Sequence, residues 1–201
     1  MTHEYHIIPR CFRWLRRFRK RCGYGVHSPL AFEFITGVIY NKEHYYAYES
    51  LRQPLVASIS RADEYDPQSG LTAKDLRLLF RLTNYQAPAT IALLGASPTV
   101  AAYITAARRT ATIVPDAQQA ELVYCDLTTA DPALNVQRLE ENTHPSSAII
   151  LRGIHRDAAS CTLWQQLQQS PNSVLTFDLG RFGIVLNRPK INRQHYVVNY
   201  F

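Results

Sequence analysis

The period of apolar and polar positions changes along the chain. In residues 10–22, RCFRWLRRFRKRC, the side chains Cys11, Leu15, Phe18 and Cys22 recur at spacings of four, three and four. That is the stripe of a helix, and arginines with Lys20 fill the rest of its circumference. GYGVHSP, residues 23–29, interrupts the pattern. Ser28 before Pro29 is an N-cap followed by a residue whose fixed φ suits the first helical position. Leu30, Phe34 and Val38 then share a face, which predicts a helix over 29–40. His27 beside Ser28 is less a base beside a nucleophile than part of this cap, because adjacent side chains rarely face each other. Tyr45, Tyr46 and Tyr48 follow; rings at that density pack a helical hairpin or form the lid of a pocket. Residues 58–70 are polar and include Pro67 and Gly70, the composition of a connecting loop.

From residue 72 onward helices and strands alternate. Thr72 with Asp75 three positions later is a variant of the capping box. Leu76, Leu79, Phe80 and Thr83 give the helix that follows an apolar face, and Pro88 ends it. Short apolar runs predict strands at 89–94, 110–114, 121–126 and 147–152, with helices at 98–108, 132–141 and 157–169. Segments 174–178 and 182–187 alternate with period two and can pair through the turn Leu179-Gly180-Arg181; HYVVNYF supplies a last strand. Such an order predicts an α/β fold, a mostly parallel sheet with helices on both faces and an antiparallel hairpin at its C-terminal edge. The predicted division is a basic amphipathic arm (1–22), a helical cap and linker (23–70) and an α/β domain (71–201).

One spacing is hard to reconcile with such a sheet. Six residues, Pro115 to Ala120, separate TIV from ELVYCD. Parallel neighbours in a sheet ordinarily need a crossover of about a dozen residues or more. Either 110–114 is not a normal second strand, or the sheet has lost an edge.

Charge refines the division. The net charge is +6, and residues 1–30 carry seven Lys or Arg against one acid, Glu4. The remaining residues carry 15 basic and 15 acidic side chains, so the body is neutral. The basic excess therefore points to an anionic partner for residues 10–21, a membrane surface or nucleic acid, and not to a nucleic-acid-binding body. The alternative is a helix that docks its stripe on its own domain and leaves its arginines in water. No apolar run approaches the roughly 18 residues of a membrane span, and no secretory leader pattern opens the chain. Four scattered cysteines without CxxC spacing read as free thiols in a reducing compartment, which implies a cytoplasmic protein and no zinc site.

The stretch LLGASPTVAAY, residues 93–103, lies where a strand passes into a helix, a place where cofactors often sit. Together RLTNYQAPATIALLGAS, ELVYCD, SAIILRGIH and VLTFDLGRFGIVLNR resemble the class I S-adenosylmethionine (SAM)-dependent methyltransferases of bacteria, in their O-methyltransferase-like branch. The resemblance covers residues 23–201. It implies a Rossmann-like sheet, shortened relative to the family, beneath an N-terminal helical cap over the cofactor site.

The family's first loop reads acid-x-Gly-x-Ser/Gly-x-Gly. Gly95 and Ser97 match, with Ala96 between them, but Leu93 stands at the acid and Thr99 at the last glycine. The carboxylate that takes the cofactor ribose falls near Val114, where Asp116, two residues on, could substitute. The cation-dependent members place an Asp after one strand and a carboxylate pair after the next. Asp126 matches the first, but Arg152 and Gly153 occupy the pair, which implies a salt bridge and no metal. The resemblance thus implies Gly95, Ala96, Ser97, Asp116 and Asp126 as cofactor contacts and SAM as cofactor, with a small-molecule or protein substrate. His155 is the candidate general base, since imidazole titrates near neutrality. Two functions follow as expectations. One is a degenerate methyltransferase-like protein with weak or no cofactor binding, acting through its basic arm. The other is an active, metal-independent SAM-dependent methyltransferase.

Overall fold

A computed structural model describes residues 26, 28–52, 65–117, 120–129, 139, 147–188 and 191–200. The basic arm, His27 and nearly all of the helix expected at 132–141 lie outside the described residues. No helix among the described residues is long and apolar enough to cross a membrane.

Ser28 caps the first helix as expected, accepting the Ala31 N–H at 3.4 Å. Helix α1 (Pro29–Phe34) runs directly into a π-helical turn, Ile35–Ile39. Helix α2 spans Ala47–Arg52 and α3 spans Ala73–Gln86. The capping box of α3 is complete. Asp75 N–H donates to the Thr72 hydroxyl oxygen, and Asp75 Oδ2 accepts the Thr72 N–H at 3.0 Å. Ala87, at φ 47°, turns the chain out of α3 ahead of Pro88. The buried Arg81 of α3 donates from Nε to the Val38 carbonyl (2.8 Å) and from Nη2 to that of Ile39 (3.2 Å). The carbonyls at the end of a helix have no partner within it, so this cation both satisfies them and fastens α1 to α3.

The strands are β1 (Thr90–Leu94), β2 (Thr112–Val114), β3 (Leu122–Asp126), β4 (Ala148–Arg152), β5 (Leu175–Asp178), β6 (Phe182–Leu186) and β7 (Gln194–Val197). Helix α4 (Pro98–Ala107) follows β1, and α5 (Ala158–Gln169) follows β4. The strands form one sheet in the order β2-β1-β3-β4-β6-β5-β7. Only β6 runs against its neighbours; every other pairing is parallel. The expected hairpin between 174–178 and 182–187 forms, but it does not close the sheet. Strand β6 folds back between β4 and β5, and β7 takes the edge. The reason lies in the side chains: all five residues of β6 are buried, so both its faces need cover, whereas β7 is half exposed and suits an edge.

The short connection between β2 and β3 is also resolved, and the expectation that so few residues cannot join parallel strands is corrected. Strands β2 and β3 flank β1 on opposite sides. The register sets Val114 beside Ala92 and Leu122 beside Ile91. The chain therefore climbs back by about one residue while crossing about 10 Å sideways, two strand spacings. A three-residue β2 makes this possible, because the return is as short as the strand. Ala117 and Ala120 are buried in the same cluster as Ala92 and Val123. Their small side chains let the chain at these two positions come close to the sheet.

Two apolar layers result. On one face α1, α3 and α4 bring Phe34, Leu76, Leu79, Val100 and Ile104 against Leu122, Tyr124, Ile150 and Phe177. The Phe34 and Phe177 rings lie 4.7 Å apart. Of the tyrosine group, Tyr48 packs on Phe80 and Tyr46 is exposed. On the other face α5 sets Trp164 and Leu167 against Val123, Leu151 and Val185. The Trp164 ring rests on Gly183 of β6, where a Cβ would come within 2.7 Å of it and within 2.9 Å of Ile154. Gly183→Ala is expected to destabilise the protein by about 1–3 kcal/mol through overpacking, with Trp164 fluorescence displaced, as a denaturant titration would measure.

Candidate functional site

The strand order reverses at β1, since β2 and β3 lie to either side of it. In open α/β sheets ligands bind at such a point, beyond the carboxyl ends of the strands. The loop after β1 supplies Gly95, Ala96 and Ser97. Gly95 holds φ 70°, a left-handed conformation open to glycine at no cost. Ser97 is the N-cap of α4: its Oγ accepts the Val100 N–H at 3.3 Å, and Pro98 follows at the first helical position. The hydroxyl oxygen thus serves the helix as its cap acceptor. Thr99, where the resemblance implies a last glycine, is buried and donates to Gln68 Oε1 at 3.0 Å.

The loop after β3 meets the loop after β1. The Thr129 hydroxyl donates to the Gly95 carbonyl at 2.9 Å. Asp126, the last residue of β3, is buried, and its two oxygens are both engaged. Oδ2 accepts from Arg152 Nη1 at 2.6 Å; Oδ1 accepts the Thr128 N–H (2.9 Å) and hydroxyl (2.6 Å). Asp126 and Arg152 are register partners on neighbouring strands, so backbone pairing alone brings the charges together. Over them lies the turn that precedes α3. Gly70, at φ +64°, approaches so closely that a Cβ there would stand 3.2 Å from Arg152 Nη2. Below them is the Tyr124 hydroxyl, whose pKa burial pushes up; the Asp126 charge adds to the rise and the Arg152 charge opposes it. Asp116 is exposed, two residues beyond the end of β2 and apart from this ion pair in the chain.

A second polar group stands at the carboxyl ends of β4 and β5. His155, in the loop after β4, places Nε2 2.8 Å from Asp178 Oδ2, and Nδ1 3.8 Å from Cys161 Sγ. Asp178 ends β5 and is buried; its Oδ1 accepts the Gly180 N–H at 2.7 Å. Cys161 is half-buried in the first turns of α5, whose N-cap Asp157 accepts the Ser160 N–H at 2.8 Å. The other described cysteine, Cys125, lies within β3, where burial first and then the Asp126 charge push its thiol up to about 12.

The structure therefore divides the six site residues named from sequence. Gly95, Ala96, Ser97 and Asp126 gather at the reversal point. His155 belongs to the second group, and Asp116 lies past the edge strand. Sequence reasoning missed Arg181, Asp178 and Cys161. Arg181, in the β5–β6 turn, pairs with Asp75 of α3 at 2.5 Å and donates to the Tyr65 hydroxyl at 3.1 Å. The signal for Asp178 was a carboxylate closing the strand VLTFD, a position that faces the functional end of a parallel sheet. Among the described residues no group of three or more His, Cys, Asp and Glu side chains is arranged to hold a metal ion. No protein-family model matches the chain, and no curated protein matches it in sequence.

The ion pair carries a prediction. Arg152→Met leaves the Asp126 carboxylate buried without its counter-charge and is expected to cost about 3–5 kcal/mol. The double change Arg152→Met with Asp126→Leu is expected to recover most of that loss. Urea unfolding of the three proteins would measure both.

Proposed function

We propose that the chain is a class I SAM-dependent methyltransferase-like protein in which the cofactor loop is kept as a folding element and SAM binding is weak or absent. The observation that carries this reading is the state of the donor and acceptor groups at the reversal point. The Gly95 carbonyl accepts Thr129, the Ser97 hydroxyl caps α4, and the Asp126 carboxylate is consumed by Arg152 and Thr128. The groups that the resemblance would turn toward a cofactor already have partners within the chain, and Thr99 fills the place of a glycine that would let the cofactor approach. These residues do not fit SAM well. No catalytic step through it is derived.

The methyltransferase-like part of the reading is supported by the mostly parallel sheet with one reversed strand near its C-terminal side. It is supported further by a glycine turn after β1 that opens a helix at a point where the strand order reverses. Fold alone does not set function, and the engaged groups at the reversal point favour a non-catalytic protein that acts through interaction. An active, metal-independent methyltransferase is the other outcome of the test.

Calorimetry and thermal shift with SAM and S-adenosylhomocysteine separate the two. The expected result is no heat and no change in melting temperature at millimolar-scale ligand. Binding tighter than about 100 μM, equivalent to about 5.5 kcal/mol, would overturn the reading.

A further inference from the structure

The His155 group, at the carboxyl ends of β4 and β5, has its own chemistry. A carboxylate only accepts hydrogen bonds, so the contact of Asp178 Oδ2 with Nε2 at 2.8 Å places the ring proton on Nε2. The lone pair is then on Nδ1, which faces Cys161 Sγ at 3.8 Å. Asp178 is itself held by the Gly180 N–H, so the ring is oriented from behind by a fixed, buried carboxylate. A nucleophile, a base aimed at it and a third group holding the base form the arrangement by which weak nucleophiles are activated.

The thiol is also well placed. Cys161 is the fourth residue of the twelve-residue α5, and helical side chains lean toward the N-terminus. Its sulfur therefore lies toward the end of α5 at which Ala158 and Ala159 carry N–H groups without partners in the helix. That end favours negative charge on a sulfur or on an oxyanion beside it. The Asp157 carboxylate there is paired with the Arg156 guanidinium at 2.6 Å.

We propose that Cys161 is a nucleophilic thiol that accepts an acyl group from a thioester, with His155 as its base and Asp178 as the positioning residue. The step balances without an oxidant. The Cys161 S–H bond breaks and its proton passes to His155 Nδ1. Sγ attacks the carbonyl carbon of the donor, the carbon–sulfur bond of the donor breaks, and the departing thiolate takes the proton from Nδ1. The products are an S-acyl Cys161 and a free thiol. An acyl donor suits the arrangement because the carbonyl oxygen that gains charge when Sγ attacks can be met by the N–H groups at the start of α5. The inference does not depend on whether SAM binds.

The test uses the full chain and S-phenyl thioacetate, with peptide mass spectrometry to locate and time the acetyl group. Cys161 is expected to acetylate faster in the folded protein than in the same chain unfolded in guanidinium, and Cys161→Ser to abolish that reaction. His155→Ala is expected to slow it about 100-fold, the scale of a general base, in a protein that circular dichroism shows still folded at the assay temperature. Asp178→Asn can donate to Nε2 and so move the ring proton to Nδ1. The expected signature is an exchange of the two ¹⁵N resonances of His155 with a rate loss of at least about tenfold. Equal rates in folded and unfolded chain, or a rate indifferent to His155→Ala, would overturn the proposal. So would a folded protein whose Cys161 reacts with disulfide reagents but not with the thioester.

Discussion

The short passage from β2 to β3 constrains most of what surrounds it. Seven residues, 115–121, must leave one side of β1 and arrive on the other. They can do so only because β2 is three residues long and pairs with the first half of β1. At its two buried positions the side chains are small, Ala117 and Ala120, packed with Ala92 and Val123. On the face that α5 covers, Ala117 and Ala120 share one buried cluster with Ala92 of β1 and with Leu139. The other face carries the helical layer of α1, α3 and α4, and it holds the larger apolar cluster.

The same economy bears on the crevice. The loops after β1 and β3 are brought close by adjacent strands and joined by the Thr129–Gly95 bond. Asp126 and Arg152 meet because their strands pair in register. The turn before α3 then seats Gly70 against the arginine and Gln68 against Thr99. No one of these contacts is unusual, yet each uses a group that would otherwise face outward. The second group, at the ends of β4 and β5, is built differently. Its carboxylate is held by a tight turn and its imidazole stays half exposed, so it retains a face toward solvent. Strand β4 thus serves both groups, ending in Arg152 of the ion pair and leading three residues later to His155.

Much of the fold was legible in the sequence. The strands ending at Leu94, Asp126, Arg152 and Asp178 follow from apolar runs bounded by polar or turn residues, and the α3 start from Thr72 with Asp75; that Ser97 caps α4 was not read from the sequence. What was not legible is pairing. Period-two alternation says that 182–187 is a strand, but not that it inserts between β4 and β5, because that depends on which neighbours cover its two faces. The crossover was misjudged for a related reason: chain length was weighed without the register that shortens the return. At the site, the Asp126–Arg152 pair was readable because both residues sit at equivalent strand ends. The Cys161–His155–Asp178 contact was not, since it joins a loop, a helix and a strand whose relative placement no local pattern encodes.

The brevity of β2 has one more consequence. Among the described residues no strand pairs with its outer side, and Ile113 is exposed on it, a combination by which sheets recruit foreign strands. A template of three residues offers an incoming strand few hydrogen bonds with which to fix its register. The strand kept short so that the chain could cross is thereby also a poor seed for edge-to-edge association.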